Sequence, residues 1–167
     1  PQAVPNVLNQ PNLLVNRHGR RIMNEEYMQN ATYLSNVASK QKDRTAYSIV
    51  DSSIVRYYIK NGVDNVSLVR TDPDVSEFWD GMKAAHDSGN PDVVMADSIE
   101  ELADKTGIHR QNLMDTVNSY NYLFENGDEE FYKMKRYMRE IRKPPFYSCK
   151  ILPCGYGTVG GSKFNEL

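Results

Sequence analysis

Residues 13–26, with the sequence LLVNRHGRRIMNEE, restrict the fold more than any other stretch of this chain. Three apolar residues are followed by the polar sequence RHGR, in which Gly19 can adopt a positive φ, and residues 21–24 return to a strand-like pattern. This arrangement predicts a β-hairpin. Residues 27–40 then place apolar side chains at three- and four-residue spacing, so we expect the hairpin to lead directly into a helix that buries this face.

The rest of the chain predicts an alternation of short strands and capped helices, preceded by an irregular lead-in over residues 1–11. Asp51 supplies an N-cap for one helix, and Ser98 with Glu101 forms a capping box for another. We therefore expect an α+β domain with a small mixed or antiparallel sheet, built from the hairpin and two further strands and covered by helices. Strands are predicted at residues 45–50, 65–69, 93–95 and 146–151, and helices at residues 53–60, 73–85, 99–105 and 110–125.

Charge and composition argue against several classes of partner. With 20 basic and 22 acidic residues, the net charge of −2 gives no electrostatic reason to expect nucleic acid or an anionic membrane. The apolar runs are only a few residues long, so no membrane-spanning segment is predicted. His18, His86 and His109 are widely spaced, and Cys149 and Cys154 form no CxxC motif. We therefore expect no metal site and two reduced thiols.

Six basic residues lie within residues 133–143, just ahead of two prolines. A solvated helix face explains such a run. A docking surface for an acidic substrate or for a partner domain is the alternative explanation.

The C-terminal tail combines prolines, a strand pattern and a run of glycines. The prolines favour extended backbone ahead of the strand at residues 146–151. The sequence GYGTVG, which begins at Gly155, then satisfies the spacing G-x-G-x-x-G. Only six residues follow Gly161, too few for a helix whose N-terminus would face a pyrophosphate, so a dinucleotide site of that kind is not predicted. Because the chain ends soon after these glycines and lacks an initiator methionine, we expect it to be a piece of a larger protein.

Three stretches resemble the capping domain of the fumarate reductase and succinate dehydrogenase flavoprotein family, which includes flavocytochrome c. They are the hairpin pattern "LVN, basic, G, R-hydrophobic, NE", the helical pair in ADSIEELADKTGI and NLMDTVNSYNYLFENGDEEF, and the tail PPFY followed by G.GT.GG. The GTxGG variant is also similar to that of ketosteroid dehydrogenases, which share the two-domain organisation. The resemblance implies a lead-in from an FAD domain over residues 1–11, a capping domain over residues 12–152, and a return to the FAD domain over residues 153–167.

This resemblance also implies a function. In the family, FAD accepts or donates hydride while the capping domain closes over a small-molecule substrate that carries a C=C or CH–CH unit. FAD would be held by the FAD-binding domain of the same parent protein, where Gly157, Thr158, Gly160 and Gly161 would contact it. The chain alone is expected to bind no FAD and to be inactive.

The sequence departs from the fumarate reductase pattern at two candidate site residues. Gln29 stands where those enzymes have a proton-donating arginine, and Tyr156-Gly157 stands where they have a substrate-binding histidine. Glutamine cannot donate a proton in this way. Tyr156 can donate a hydrogen bond or a proton at the flavin, and a purely structural role is the alternative for this lone tyrosine. We therefore expect a substrate other than fumarate. A ketosteroid dehydrogenase-like flavoenzyme and a non-catalytic α+β binding module are the alternatives.

Overall fold

The computed structural model describes residues 2–66 and 73–153. These residues form an antiparallel sheet with helices packed against it. The α+β fold class predicted from the sequence is confirmed. Within these ranges no helix is long and apolar enough to cross a membrane. The strands are β1 (Leu13–Asn16), β2 (Ala46–Asp51), β3 (Val93–Ala96) and β4 (Phe146–Ile151), and the helices are α1 (Ala3–Leu8), α2 (Ala31–Ser39), α3 (Ser52–Asn61), α4 (Phe78–Asp87), α5 (Ile99–Thr106) and α6 (Arg110–Asn126), with short 3₁₀ helices at Glu25–Gln29, Lys42–Arg44 and Lys135–Tyr137.

The four strands are antiparallel throughout, in the order β1-β2-β4-β3. All six residues of β2 are buried, and since successive side chains point to opposite faces, both faces of the sheet must be covered. Ser48 donates a hydrogen bond to the carbonyl of Leu8 at 2.7 Å, and the ring of Phe78 lies 5.3 Å from that of Tyr147. Helices α1 and α4 therefore cover the face that carries Ser48 and Tyr147.

The turn of the predicted hairpin is confirmed, but its second arm is shorter than expected. Gly19 adopts a φ of 72°, and the backbone N–H of Asn16 donates to the carbonyl of Arg20 at 2.9 Å. Arg21 pairs with Val15 through a single bridge, and residues 22–24 form no strand. A β-carbon at Gly19 would lie only 2.6 Å from the backbone nitrogen of Leu113, so glycine also allows the turn to pack against the start of α6.

The continuous helix predicted over residues 27–40 was wrong. The chain instead forms the 3₁₀ helix Glu25–Gln29 and then α2, because the side chain of Asn30 accepts a hydrogen bond from the N–H of Tyr33 and begins a new helix. Ala38 is buried at the inner face of α2, with Leu34 partly buried beside it, whereas Tyr27 is exposed.

The irregular lead-in predicted over residues 1–11 was also wrong, because residues 3–8 form α1. Pro5 lies in the first turn of this helix, where a backbone N–H has no intrahelical acceptor, so proline is tolerated there. Val4, Val7 and Leu8 are buried in the main core, which stabilises the short helix.

The remaining predicted helices are confirmed, although one of them begins later than predicted. The side chain of Asp51 caps α3, that of Ser98 caps α5, and Gly107 ends α5 with a φ of 73°. Helix α4 begins at Phe78 and not at residue 73. The strand predicted at residues 65–69 lies largely outside the described residues, and its described part is not a strand.

Candidate functional site

Of the site residues predicted from the sequence, Gln29 is the one that the described ranges contain. It is the last residue of the 3₁₀ helix Glu25–Gln29, and its side-chain nitrogen donates to the carbonyl of Asn9 at 2.9 Å. This bond ties the end of α1 to the 3₁₀ helix. Tyr156, Gly157, Thr158, Gly160 and Gly161 lie outside the described residues.

The 3₁₀ helix that ends at Gln29 is anchored by a buried group of charged side chains, which we call the ion cluster. Its members are Arg21, Glu25, Asp128 and Lys133. The guanidinium of Arg21 donates two hydrogen bonds to Glu25, both of 2.8 Å, and two to Asp128, of 2.9 and 2.7 Å. The Arg21, Glu25 and Asp128 side chains are at most 1% exposed. Two carboxylates thus occupy the planar fork of one arginine.

Lys133 completes the ion cluster from the other side. Its ammonium donates to the hydroxyl of Tyr120 at 2.7 Å and to the carbonyl of Pro11 at 2.6 Å, and it lies 3.2 Å from the carboxylate of Glu25. The two cations and two carboxylates balance in charge, and each ammonium proton has an acceptor. Such complete pairing is what allows charges to be buried at all.

The electrostatics of the ion cluster favour a fixed charge on Asp128. Burial opposes ionisation of Asp128, but hydrogen bonds from Arg21 and from the backbone of Lys133 lower its pKa to about 2. Burial raises the pKa of Tyr120 well above its usual value. Burial also lowers the pKa of Lys133, and the negative charge of the Glu25 carboxylate partly offsets this decrease. Asp128 stays ionised near neutral pH, so the geometry indicates an anchor for the 3₁₀ helix and not an acid–base centre.

A cleft of about 220 Å³ lies beside the ion cluster, between the hairpin turn and α6. Its lining mixes both signs of charge. Glu130, half exposed at this cleft, lies 3.8 Å from Arg21, and burial raises its pKa. The residues that line the cleft are Arg20, Arg21, Asp115, Thr116, Ser119, Tyr120 and Glu130.

The basic run of residues 133–143 is not the solvated helix face predicted from the sequence. Within it only Lys135–Tyr137 is helical, as a single 3₁₀ turn. Arg139 donates two hydrogen bonds of 2.7 Å to Asp64 and stacks 4.0 Å from the centre of the Tyr57 ring. These contacts, and the burial of Lys133, bind the segment to the rest of the domain.

Sequence reasoning missed the ion cluster although its signal was present in two motifs. Glu25 belongs to the NE of the hairpin pattern, and Asp128 and Phe131 belong to the GDEEF that ends the helical pair. The two motifs meet in space, since the side chain of Asn24 donates to the carbonyl of Phe131 at 3.1 Å. Residues that carry the resemblance at distant positions therefore form one structural unit.

The described ranges contain no group of histidine, cysteine, aspartate and glutamate side chains arranged to hold a metal ion. Cys149 is a free thiol, and burial raises its pKa to about 11. Its nucleophilic thiolate is therefore scarce near neutral pH. Cys154 lies outside the described residues.

Comparison with known proteins finds no matching family model. The chain is similar to a vinyl phenol reductase of Lactiplantibacillus plantarum, with 27% identity over 157 residues that cover 92% of the chain and 31% of that protein. It is 26% identical over 163 residues to an NADH:acrylate oxidoreductase of Vibrio harveyi, covering 92% of the chain and 13% of that protein. A 3-oxosteroid 1-dehydrogenase of Mycolicibacterium smegmatis is 33% identical over 85 residues, 41% of the chain and 15% of that protein.

Solved structures share the fold. A flavocytochrome c3 fumarate reductase in an open conformation matches with a TM-score of 0.63 and 18% identity, over 88% of this chain and 22% of that one. The solution structure of a fumarate reductase flavoprotein subunit from Lactobacillus plantarum matches with a TM-score of 0.62 and 23% identity, over 95% of this chain and 93% of that one. A 3-ketosteroid delta1-dehydrogenase from Sterolibacterium denitrificans gives a TM-score of 0.58 and 20% identity, over 90% and 28% of the two chains.

The chain spans less than a third of the length of the curated relatives it matches. Its homologues and structural neighbours are members of the fumarate reductase flavoprotein and ketosteroid dehydrogenase family, and the resemblance predicted from the sequence is confirmed.

Proposed function

We propose that this chain is the substrate-capping domain of an FAD-dependent oxidoreductase that acts on a C=C or CH–CH bond. The observation that carries the proposal is the match over 92% of the chain to two much longer relatives, which are named for the reduction of vinyl phenol and for the oxidoreduction of acrylate. Both names denote compounds with a carbon–carbon double bond next to an activating group. The small share of each relative that the chain spans supports a role as one domain of a larger enzyme, and the resemblance of the hairpin and the helical pair to capping domains supports the capping role.

The topology of the described sheet supports the assignment of FAD binding to another domain and of substrate covering to this one. A pyrophosphate site of the dinucleotide-binding kind is built on a parallel strand–helix–strand unit, whereas the four described strands are antiparallel. In this proposal FAD is held by another part of the polypeptide and supplies hydride transfer. Gly157, Thr158, Gly160 and Gly161, beyond the described residues, would contact it. The described domain would cover the substrate, exclude water from it and orient it.

Gln29 is the basis for proposing a substrate other than fumarate. Its neutral carboxamide already donates to the carbonyl of Asn9, and an amide has no proton to release near neutral pH. Position 29 therefore offers neither a counter-charge nor an acid to a dicarboxylate. Any alkene that accepts hydride also needs a proton at its other carbon, which another group must supply. An alkene activated by a phenol ring or by a single carboxylate needs less counter-charge than a dicarboxylate and fits this position better.

A ketosteroid dehydrogenase-like activity is the second candidate. The 33% identity to a 3-oxosteroid 1-dehydrogenase over 85 residues and the GTxGG sequence favour it. A panel of substrates distinguishes the two candidates. Faster turnover of a 3-oxosteroid than of acrylate or a vinyl phenol by the full-length enzyme would favour the steroid.

The capping role is tested by asking which part of the polypeptide carries the flavin. The full-length protein and the 167-residue chain are purified in parallel, and the visible absorbance of bound flavin is measured in each. We expect about one FAD per full-length protein and none on the chain. Stoichiometric FAD on the chain alone, or a full-length protein without flavin, would contradict the proposal.

A further inference from the structure

We propose that Tyr27, Tyr33, Tyr132 and Met134, which we call the aromatic face, form the surface of this domain that docks against the flavin-binding part of the same polypeptide. The inference rests on the proposed function, because it requires a second domain. It adds to that function the residues of this chain that would make the contact.

The first half of the aromatic face comes from the 3₁₀ helix and α2. The rings of Tyr27 and Tyr33 pack edge to face with their centres 5.8 Å apart, yet the two residues remain 55% and 44% exposed. Such a pair leaves a large apolar surface in water. Tyrosine is also a residue that protein interfaces select, since its ring buries much area and its hydroxyl can stay hydrated.

The second half comes from residues 131–134, which lie directly beside the 3₁₀ helix. The side chain of Asn24 donates to the carbonyl of Phe131 at 3.1 Å, and the carboxylate of Glu26 accepts a hydrogen bond from the backbone N–H of Met134. Tyr132 is 80% exposed and Met134 is 48% exposed. Two neighbouring segments thus carry four exposed apolar side chains.

Tyr132 is exposed to solvent on a strained backbone. Its φ of 57° lies in the left-handed region, which is unfavourable for a residue with a bulky side chain. Asp128 holds this conformation, because its carbonyl accepts from the N–H of Tyr132 at 3.1 Å and its carboxylate accepts from that of Lys133 at 3.0 Å. Strain maintained at an exposed aromatic residue fits a role in binding.

The position at which the described chain ends indicates what occupies this face. Ile151, two residues before the last described residue, packs in the same small core as Leu34 of α2 and Met28 of the 3₁₀ helix. The connection that follows Ile151 therefore leaves the domain close to the 3₁₀ helix and α2, and the relatives are more than three times as long as the matched region. The remaining polypeptide would be tethered beside the aromatic face.

Hydroxyl-radical footprinting with mass spectrometry tests the proposal, since it reports side-chain exposure residue by residue. Labelling is compared between the full-length protein and the 167-residue chain. Tyr122, 64% exposed on α6, and Met95, 42% exposed on β3, are matched controls for the tyrosines and for Met134. We expect labelling of the aromatic face to fall by about threefold or more in the full-length protein, as for residues at the core of an interface, while both controls stay labelled.

Each other outcome is decisive. Equal labelling of the aromatic face in both proteins, or protection confined to the controls, overturns the docking proposal while leaving a flavin-loaded full-length enzyme and its function intact. Protection that rises with the concentration of the isolated chain shows association between copies and also overturns it. A full-length protein that carries no flavin contradicts the proposed function itself.

Discussion

Arg21 and Asp128 are 107 positions apart in the sequence and are joined by two hydrogen bonds, of 2.9 and 2.7 Å, between side chains that are at most 1% exposed. The pair links the hairpin to the loop that follows α6. Because Arg21 also binds Glu25 in the 3₁₀ helix, this contact fixes the segment that ends at Gln29. The position of the candidate site therefore depends on a buried ion cluster that does no chemistry itself.

Replacing Arg21 by Met should destabilise the domain by about 3–5 kcal/mol, because it leaves two buried carboxylates without their partner. Arg17→Met is the matched control, since Arg17 pairs with Asp43 at a similar 3.0 Å but in solvent. That control should cost about 0–1 kcal/mol. Urea unfolding of both variants measures the difference, and equal losses would show that the ion cluster contributes no more than a surface ion pair.

The low pKa of Asp128 predicts a loss of stability in acid. Its folded-state pKa of about 2 lies below the ordinary value, so the ionised carboxylate stabilises the fold above about pH 4 and this contribution disappears as the pH falls towards 2. We expect it to amount to about 2 kcal/mol, and Asp128→Asn to lack that part of the pH dependence.

Glu130 provides the control of opposite sign. Burial raises its pKa, so its protonation favours the folded state as the pH falls, and Glu130→Gln should make the acid loss steeper. The free energy of unfolding is measured by urea titration from about pH 5 to pH 2. An Asp128→Asn profile that parallels the wild type would contradict the assignment.

The ordinary elements could be predicted because their signals are local. Asp51, Ser98 and Gly107 cap helices where the sequence placed them, and the alternation of residues 146–151 gave β4. Local sequence signals did not predict elements whose conformation depends on contacts with distant parts of the chain. Helix α1 is stabilised by burial of Val7 and Leu8 in a core built by distant strands.

The ion cluster was not predicted because its charges look like surface charges in the sequence, although Glu25 and Asp128 stand in motifs that carry the resemblance. Lys133 begins a run of basic residues, and nothing local shows that Tyr120 and Glu25 meet its ammonium in the interior. Gln29 was identified from its place in the hairpin pattern, but its bond to Asn9 required α1, which the sequence analysis had missed.

Tyr132→Gly should stabilise the isolated chain by about 0.5–1 kcal/mol, because glycine adopts a positive φ without the steric cost that tyrosine carries. The exposed ring of Tyr132 contributes little burial to offset this gain. Tyr122→Gly, in the exposed face of α6, should instead lose about 1 kcal/mol. Thermal unfolding measures the change in stability of each variant, which should be positive for Tyr132→Gly and negative for Tyr122→Gly. A destabilised Tyr132→Gly would refute the strain at this position.

We expect the same substitution, serine to alanine, to affect stability differently at two positions in the sheet. Ser148 is buried, and its hydroxyl has no hydrogen-bond partner among the described residues, whereas Ser48 donates to the carbonyl of Leu8. Ser148→Ala should change the free energy of unfolding by less than about 0.5 kcal/mol or raise it, while Ser48→Ala should lower it by about 1 kcal/mol or more. Urea unfolding distinguishes them, and a larger loss at Ser148 would reveal a partner for its hydroxyl.

The central claim is that this chain is a capping domain in which Gln29 neither binds nor protonates fumarate. Reoxidation of the reduced full-length enzyme under anaerobic conditions tests it most directly. Flavin absorbance is followed after mixing with fumarate, and separately with a vinyl phenol and with acrylate. Every alkene compared needs a proton as well as a hydride, so it is the missing counter-charge for a dicarboxylate that disfavours fumarate. Loss of such charge stabilisation typically costs about two or more powers of ten in rate, so fumarate should react at least that much more slowly than the best alkene. Reoxidation that is fastest with fumarate would contradict the account.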